Sequence, residues 1–72
     1  MGELIRVLGQ IELGGGKFDV ELNHSPNGDE LREIHIQNKQ FRLAMPETEF
    51  LQLSAGILLA KKQLEIIKRK SL

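Results

Sequence analysis

The feature that most constrains this chain is a change of hydrophobic period at Pro46. Up to Met45, apolar and polar residues alternate along several short segments, and from Pro46 onward apolar residues recur every three or four positions. Alternation is typical of strands that bury one face, whereas a spacing of three and four is typical of an amphipathic helix. The sequence therefore predicts one domain over residues 1–72, with a sheet over residues 1–45 and a helix over residues 46–70.

Four strands are predicted before Pro46. They are expected at Leu4–Leu13, Lys17–His24, Leu31–Gln37 and Gln40–Met45. The breaks between them, GGG at residues 14–16, SPNGD at residues 25–29 and NK at residues 38–39, have the composition of tight turns. Short connections favour antiparallel neighbours, so we expect a meander.

The alternation also predicts which side chains face inward. Gly9 is expected to mark a bulge or a close backbone approach, and Leu8 does not fit the alternation. The inward set is Ile5, Val7, Ile11, Leu13, Phe18, Val20, Leu22, Ile34, Ile36, Phe41, Leu43 and Met45.

The predicted helix carries an apolar stripe with heptad spacing. We call it the heptad stripe; it comprises Phe50, Leu53, Ile57, Ala60, Leu64 and Ile67. Leu51, Leu58, Leu59 and Ile66 are interpreted as widening it. Such a helix is about 36 Å long, whereas a strand of eight residues spans about 26 Å, so the helix should cover the sheet and then overhang it.

The overhang predicts self-association. A chain this short buries only about 60% of its unfolded surface, and it has no cysteine for disulfide bonds. The fold class is therefore an α+β, ββββα arrangement that is dimeric through the helix and a sheet edge. The interface is expected to include Ile57, Leu58, Leu64, Ile66 and Ile67.

Several function classes are disfavoured by the residues present. GGGK at residues 14–17 lacks the distant glycine and the Ser or Thr of a phosphate-binding loop. The two histidines, His24 and His35, lie on opposite strand faces, so we expect no metal site, no catalytic residues and no cofactor. No small-molecule substrate is evident. The apolar segments are too short to span a membrane, and the lack of cysteine suits a cytoplasmic protein.

Charge is unevenly distributed although the net charge is zero. Residues 1–60 have a net charge of −4 and residues 61–72 a net charge of +4. The basic side chains could bind the phosphates of a nucleic acid, or they could only solvate the end of the helix. The candidate nucleic-acid-binding residues are Lys61, Lys62, Lys68, Arg69 and Lys70, with Lys17 and Arg42 secondary.

The segment LAMPETEF at residues 43–50 carries a resemblance to a known family. It contains Pro46 and Glu47 at a helix start and an aromatic residue at Phe50, and it follows the strand REIHI at residues 32–36. In these features the chain resembles the single-stranded-DNA-binding transcriptional coactivator fold, shared by the Whirly and Pur-alpha proteins. The resemblance covers roughly residues 17–55. It implies a homodimer whose sheets bind single strands, with the helices at or near the dimer interface.

Two functions remain open at this point. One is a small nucleic-acid-binding, transcription-associated homodimer, which the resemblance favours. The other is a non-enzymatic, homo-oligomeric protein-interaction module that binds no nucleic acid. The second is favoured because single-strand binding uses exposed aromatic and basic residues, whereas this chain has no Trp or Tyr and its outward sheet residues include many carboxylates.

Overall fold

The computed structural model describes residues 3–25 and 31–70. Its elements are β1 (Leu4–Leu13), β2 (Gly16–His24), β3 (Arg32–Gln37), β4 (Arg42–Pro46) and α1 (Glu47–Lys70). The strands form one antiparallel sheet in the order β1-β2-β3-β4. The predicted α+β meander with a C-terminal helix is therefore confirmed. Of the turn predicted over residues 25–29, all but Ser25 lies outside the described residues.

The turn between β1 and β2 depends on glycine. Gly14 and Gly15 have φ angles of 59° and 82°, in the left-handed region that glycine adopts without steric cost. Lys17 follows as the second residue of β2. The GGGK segment is thus a hairpin turn between two strands, whereas a phosphate-binding loop leads into a helix.

The turn between β3 and β4 is longer than the predicted pair of residues 38–39. The Asn38 side-chain Oδ1 accepts hydrogen bonds from the backbone N–H groups of Gln40 (2.9 Å) and Phe41 (2.8 Å). These bonds hold Gln40 and Phe41 in the loop, because an asparagine side chain can replace the backbone acceptor of a turn. Consequently β4 begins at Arg42 and not at Gln40.

Strand β1 is irregular at two places. The pairing of β1 with β2 shifts register between Leu4 and Arg6 and again between Val7 and Gly9. The bulge expected at Gly9 is confirmed, and Leu8 is its extra residue. An extra residue reverses the alternation beyond it, so Val7 lies opposite Glu21 and not on the predicted apolar face.

The described part of the chain buries very little apolar surface. Val20 and Ile34, on the two central strands, are 8% and 2% exposed and are its only buried apolar side chains. Phe41 and Leu43 belong to the predicted inward set, yet they are 49% and 41% exposed. The sheet therefore has an apolar face with no layer packed over most of it.

Helix α1 does not provide that layer, so the predicted covering of the sheet by its own helix is wrong. No residue of α1 is buried, and α1 meets only β3 and β4. The reason lies at the junction, where β4 ends at Pro46 and α1 begins at the next residue. A helix usually needs a connection of a few residues to return over its sheet, and here there is none.

The resulting molecule is elongated. Its principal dimensions are 51 × 26 × 16 Å and its radius of gyration is 15.1 Å. A compact domain of this length would have a radius of about 11 Å. Within residues 3–25 and 31–70, no helix is long and apolar enough to cross a membrane.

Candidate interaction surfaces

The start of α1 is fixed to the sheet by one ion pair. The Arg32 guanidinium donates from Nε and Nη2 to the two carboxylate oxygens of Glu47, each at 2.8 Å. Such a two-point contact fixes direction as well as distance. The bonds and the charge of Glu47 raise the pKa of Arg32 above its ordinary value. The helix therefore leaves the sheet at a defined point and continues outward.

Two apolar stripes follow the exposed helix. The heptad stripe includes Leu53, Ile57, Leu64 and Ile67, which are 46%, 59%, 56% and 56% exposed. A turn of 3.6 residues places the remaining large apolar residues on the roughly opposite side, so they do not widen the heptad stripe. We call them the second stripe: Leu51, Leu58, Leu59 and Ile66.

The predicted interface residues are thus divided between the two stripes, and all are exposed. Ile57, Leu64 and Ile67 belong to the heptad stripe, whereas Leu58 and Ile66 belong to the second stripe. A helix that is apolar on two sides is typical of a buried helix. Among the residues that the structure describes, α1 meets only β3 and β4 and buries none of its own side chains.

The solvent-accessible area shows how much more surface this chain exposes than a compact monomer does. The chain exposes 6076 Å². A compact monomer of its mass, 8.2 kDa, would expose about 4,500 Å². The difference, roughly 1,500 Å², exceeds the ~800 Å² per partner that a standard protein interface covers.

The sheet has a polar face opposite its apolar one, and side chains on this polar face are hydrogen-bonded to each other. His35, which is 3% exposed, lies between Glu33 and Arg42. Its Nε2 is 3.1 Å from Glu33 Oε1, and its Nδ1 is 3.3 Å from Arg42 Nη2. Because arginine only donates, Nδ1 must accept and Nε2 must carry the proton. Both ring nitrogens of His35 are therefore occupied, and the ring is out of reach of solvent.

Further cross-strand bonds continue this polar face. Gln10 Nε2 donates to Asp19 Oδ1 at 3.0 Å, and Gln37 Nε2 donates to Glu21 Oε1 at 2.9 Å. A shallow groove of about 370 Å³ lies at the hairpin end of this face. Its lining residues are Gln10, Lys17, Asp19, Gln37, Asn38 and Lys39. One carboxylate, Asp19, and two lysines line it, so the groove carries charges of both signs.

The candidate nucleic-acid residues fall into two separate groups. Lys17 is the second residue of β2 and Arg42 the first residue of β4, so both lie at the hairpin end of the sheet. The other five, Lys61, Lys62, Lys68, Arg69 and Lys70, are exposed along the second half of α1. Because α1 begins at the other end of β4, the structure does not bring the two groups into one surface.

An aromatic pair lies at the same hairpin end of the sheet. The rings of Phe18 and Phe41 meet edge to face, with centroids 5.6 Å apart and planes at 87°. Phe41 is half exposed although its position predicted burial. Its exposure has the same cause as that of Leu43 within β4, because both lie on the apolar face that the described part of the chain leaves mostly uncovered.

Sequence reasoning missed two contacts of this structure. They are the pairing of Arg32 with Glu47 and the bonds that hold His35 between Glu33 and Arg42. A strand register was needed to find them, since Glu33 lies opposite Pro46 and His35 opposite Ala44. That register places Arg32 beside the first residue of α1 and His35 within reach of Arg42.

The described residues contain no group of three or more His, Asp or Glu side chains arranged to hold a metal ion. No protein-family model matches this chain, and neither a characterised protein nor a solved structure shows significant similarity to it.

Proposed function

We propose that this protein is a small non-enzymatic homodimer, which completes its hydrophobic core between two copies and acts as a protein-interaction module. One observation carries the proposal. The described part of the chain buries two apolar side chains and leaves seventeen large ones exposed. A single sheet with an uncovered apolar face needs a second layer, and a partner chain can supply it.

The polar face supports a non-enzymatic role. His35 is the side chain on it that is best suited to acid–base chemistry, and a general base needs a nitrogen within reach of a substrate proton. Glu33 and Arg42 occupy both nitrogens, and the ring is 3% exposed. We interpret the hydrogen bonds among Glu33, His35 and Arg42 as structural, because they link β3 to β4. The cysteine-free sequence favours a cytoplasmic location for the dimer.

Sedimentation equilibrium tests the homodimer directly. The expected mass is twice 8.2 kDa at micromolar protein concentration. A chain that stays folded and monomeric at about 100 μM would contradict the proposal, because this concentration corresponds to a binding free energy of only about 5.5 kcal/mol.

Single-stranded nucleic-acid binding with a role in transcription is a second candidate. The half-exposed ring of Phe41, in edge contact with Phe18, favours it, because unpaired bases stack on exposed aromatic rings. Lys17 and Arg42 add positive charge at the same end of the sheet. They alternate with Phe18 and Phe41 along the chain, so they lie on the other face of the sheet.

Fluorescence anisotropy with labelled single- and double-stranded oligonucleotides tests this candidate. Binding should weaken steeply between about 50 and 200 mM salt, because phosphate contacts release counterions. Phe41→Ala should weaken binding to single strands by about tenfold, and Leu59→Ala is the matched apolar control. If no binding is seen at the lower salt concentration, the nucleic-acid-binding function is excluded and the protein-interaction module remains as the proposed function.

A further inference from the structure

The heptad stripe is continuous from one end of α1 to the other. Its six residues begin at Phe50 and end at Ile67, within a helix of 24 residues that has no buried residue. Spacings of three and four let one helix insert its side chains between those of another. The stripe is therefore shaped for a second helix along its whole length, and not only at the point where α1 leaves the sheet.

We infer that the α1 helices of two copies pack antiparallel along the heptad stripe, with Leu53 of one copy opposite Leu64 of the other. This inference rests on the proposed homodimer and specifies its interface. A two-fold axis would then pass between Ile57 and Ala60, near the middle of the helix, so each copy presents the same surface to the other.

The charges at the two ends of α1 favour the antiparallel arrangement. Its first turn contains Glu47 and Glu49, and its last turn contains Lys68, Arg69 and Lys70. When the helices run antiparallel, heptad geometry places Glu49 beside the partner's Lys70, and Glu47 beside the partner's Lys68. Parallel helices would instead bring acidic ends together and basic ends together. Antiparallel helices also align their dipoles favourably.

The number of apolar layers favours the same register. Ile57 lies opposite Ala60, Leu53 opposite Leu64 and Phe50 opposite Ile67, so all six residues of the heptad stripe face an apolar residue of the partner. A register shifted by one heptad would leave two of the six without one.

The pairing changes which basic residues remain available. Lys68 and Lys70 would flank the helix interface, while Lys62 and Arg69 would point away from it. The second stripe, which includes Leu58 and Leu59, would also remain outside the helix pair and could lie against the apolar sheet face of the partner. The roughly 1,500 Å² of excess surface per chain is enough for both contacts.

Cysteine cross-linking tests the register, since the chain has no cysteine of its own. Leu53→Cys and Leu64→Cys chains, one of them carrying an affinity tag, are mixed under reducing conditions and then oxidised. The expected product is the mixed disulfide, at least tenfold more abundant than either disulfide between identical chains. In the antiparallel pairing, identical positions of the two chains are separated by about 16 Å along the helix, which is too far for a disulfide. Leu59→Cys, on the second stripe, is the control.

A charge exchange gives a second readout that needs no cysteine. Lys70→Glu should weaken dimerisation several-fold, because it places like charges beside each other at both ends of the interface. The double variant Glu49→Lys with Lys70→Glu should restore most of the affinity. Without the cross-chain pair, the double variant would be the weaker one, since each change opposes the helix dipole.

The outcomes separate this inference from the homodimer itself. A dimer that forms disulfides between identical positions, or none between positions 53 and 64, would overturn the antiparallel pairing and leave the homodimer intact. A monomer by sedimentation would overturn both. A mixed 53–64 disulfide together with charge rescue would establish the pairing.

Discussion

The central strands and the helix of this protein use apolar residues in opposite ways. Strands β2 and β3 have neighbours on both sides, and they contain the two buried apolar side chains, Val20 and Ile34. Helix α1 is longer and rich in leucine and isoleucine, yet it buries nothing. The first region obtains its packing from its own chain, whereas for the second we propose that a second copy supplies it. The predictions below test this division, beginning with the largest expected effect.

Ile34→Ala should be the most damaging substitution in the central strands. Ile34 is 2% exposed and is the largest fully buried side chain in the described part of the chain, so its truncation leaves a cavity. We expect a loss of about 3 kcal/mol in the free energy of unfolding, measured by urea denaturation. Leu31→Ala is a suitable control because Leu31 is 70% exposed. Equal effects at the two sites would contradict the assignment of the core.

Leu64→Ala tests the helix. In the isolated chain Leu64 is 56% exposed, so its truncation should cost almost nothing. In a helix-paired dimer the cost should approach 2 kcal/mol per site, and the unfolding midpoint should then depend on protein concentration. The measurement is denaturation at two concentrations about a hundredfold apart. If the unfolding midpoint of the unmodified protein does not depend on protein concentration, the proposal that α1 packs against a second copy is wrong.

His35→Ala tests the polar face of the central strands. Removing the ring breaks its bonds to Glu33 and Arg42 and opens a space at a buried position, so we expect a loss of about 1–3 kcal/mol in the free energy of unfolding. The other histidine is the matched control, because His24 is exposed and its replacement by alanine should change stability by less than about 0.5 kcal/mol. Thermal denaturation of the two variants side by side measures the contrast.

Two glycine substitutions give the smallest effects, with opposite signs. Gly56 lies within α1, and a Cβ there would meet nothing within 4 Å in its own chain, so Gly56→Ala should stabilise by about 1 kcal/mol. Gly15 has a φ of +82°, so Gly15→Ala should destabilise by about 1 kcal/mol. Destabilisation by Gly56→Ala in a thermal melt would show that the partner helix approaches closely at that position.

The sequence predicted the elements well because their periods are local properties. The limits of β1 are those expected, and α1 begins within one residue of the predicted start. Local patterns could not show how the elements are arranged. The helix was expected over its own sheet, but the absence of a connection after Pro46 prevents that return. Likewise, the alternation in β1 could not reveal the reversal at Val7, because a bulge appears only once a partner strand fixes the register.

The candidate site shows the same limit. Alternation predicts burial of Phe41, but burial needs a layer over that face, and the described part of the chain supplies none there, so the ring stays half exposed. The predicted interface residues Ile57, Leu58, Leu64, Ile66 and Ile67 could be identified as apolar, but not divided between the two sides of α1. That division depends on the helical turn once the limits of α1 are known.

The two register shifts in β1 have a consequence for aggregation. β1 is a ten-residue edge strand with apolar side chains such as Leu4, Leu8 and Leu13 exposed. A regular edge of that kind is a template onto which other chains can add strands without limit. The irregular pairing at Leu4–Arg6 and Val7–Gly9 twists the edge and interrupts its row of free hydrogen-bonding groups. The edge is thereby protected from fibre-like growth while the helix stays open to a partner.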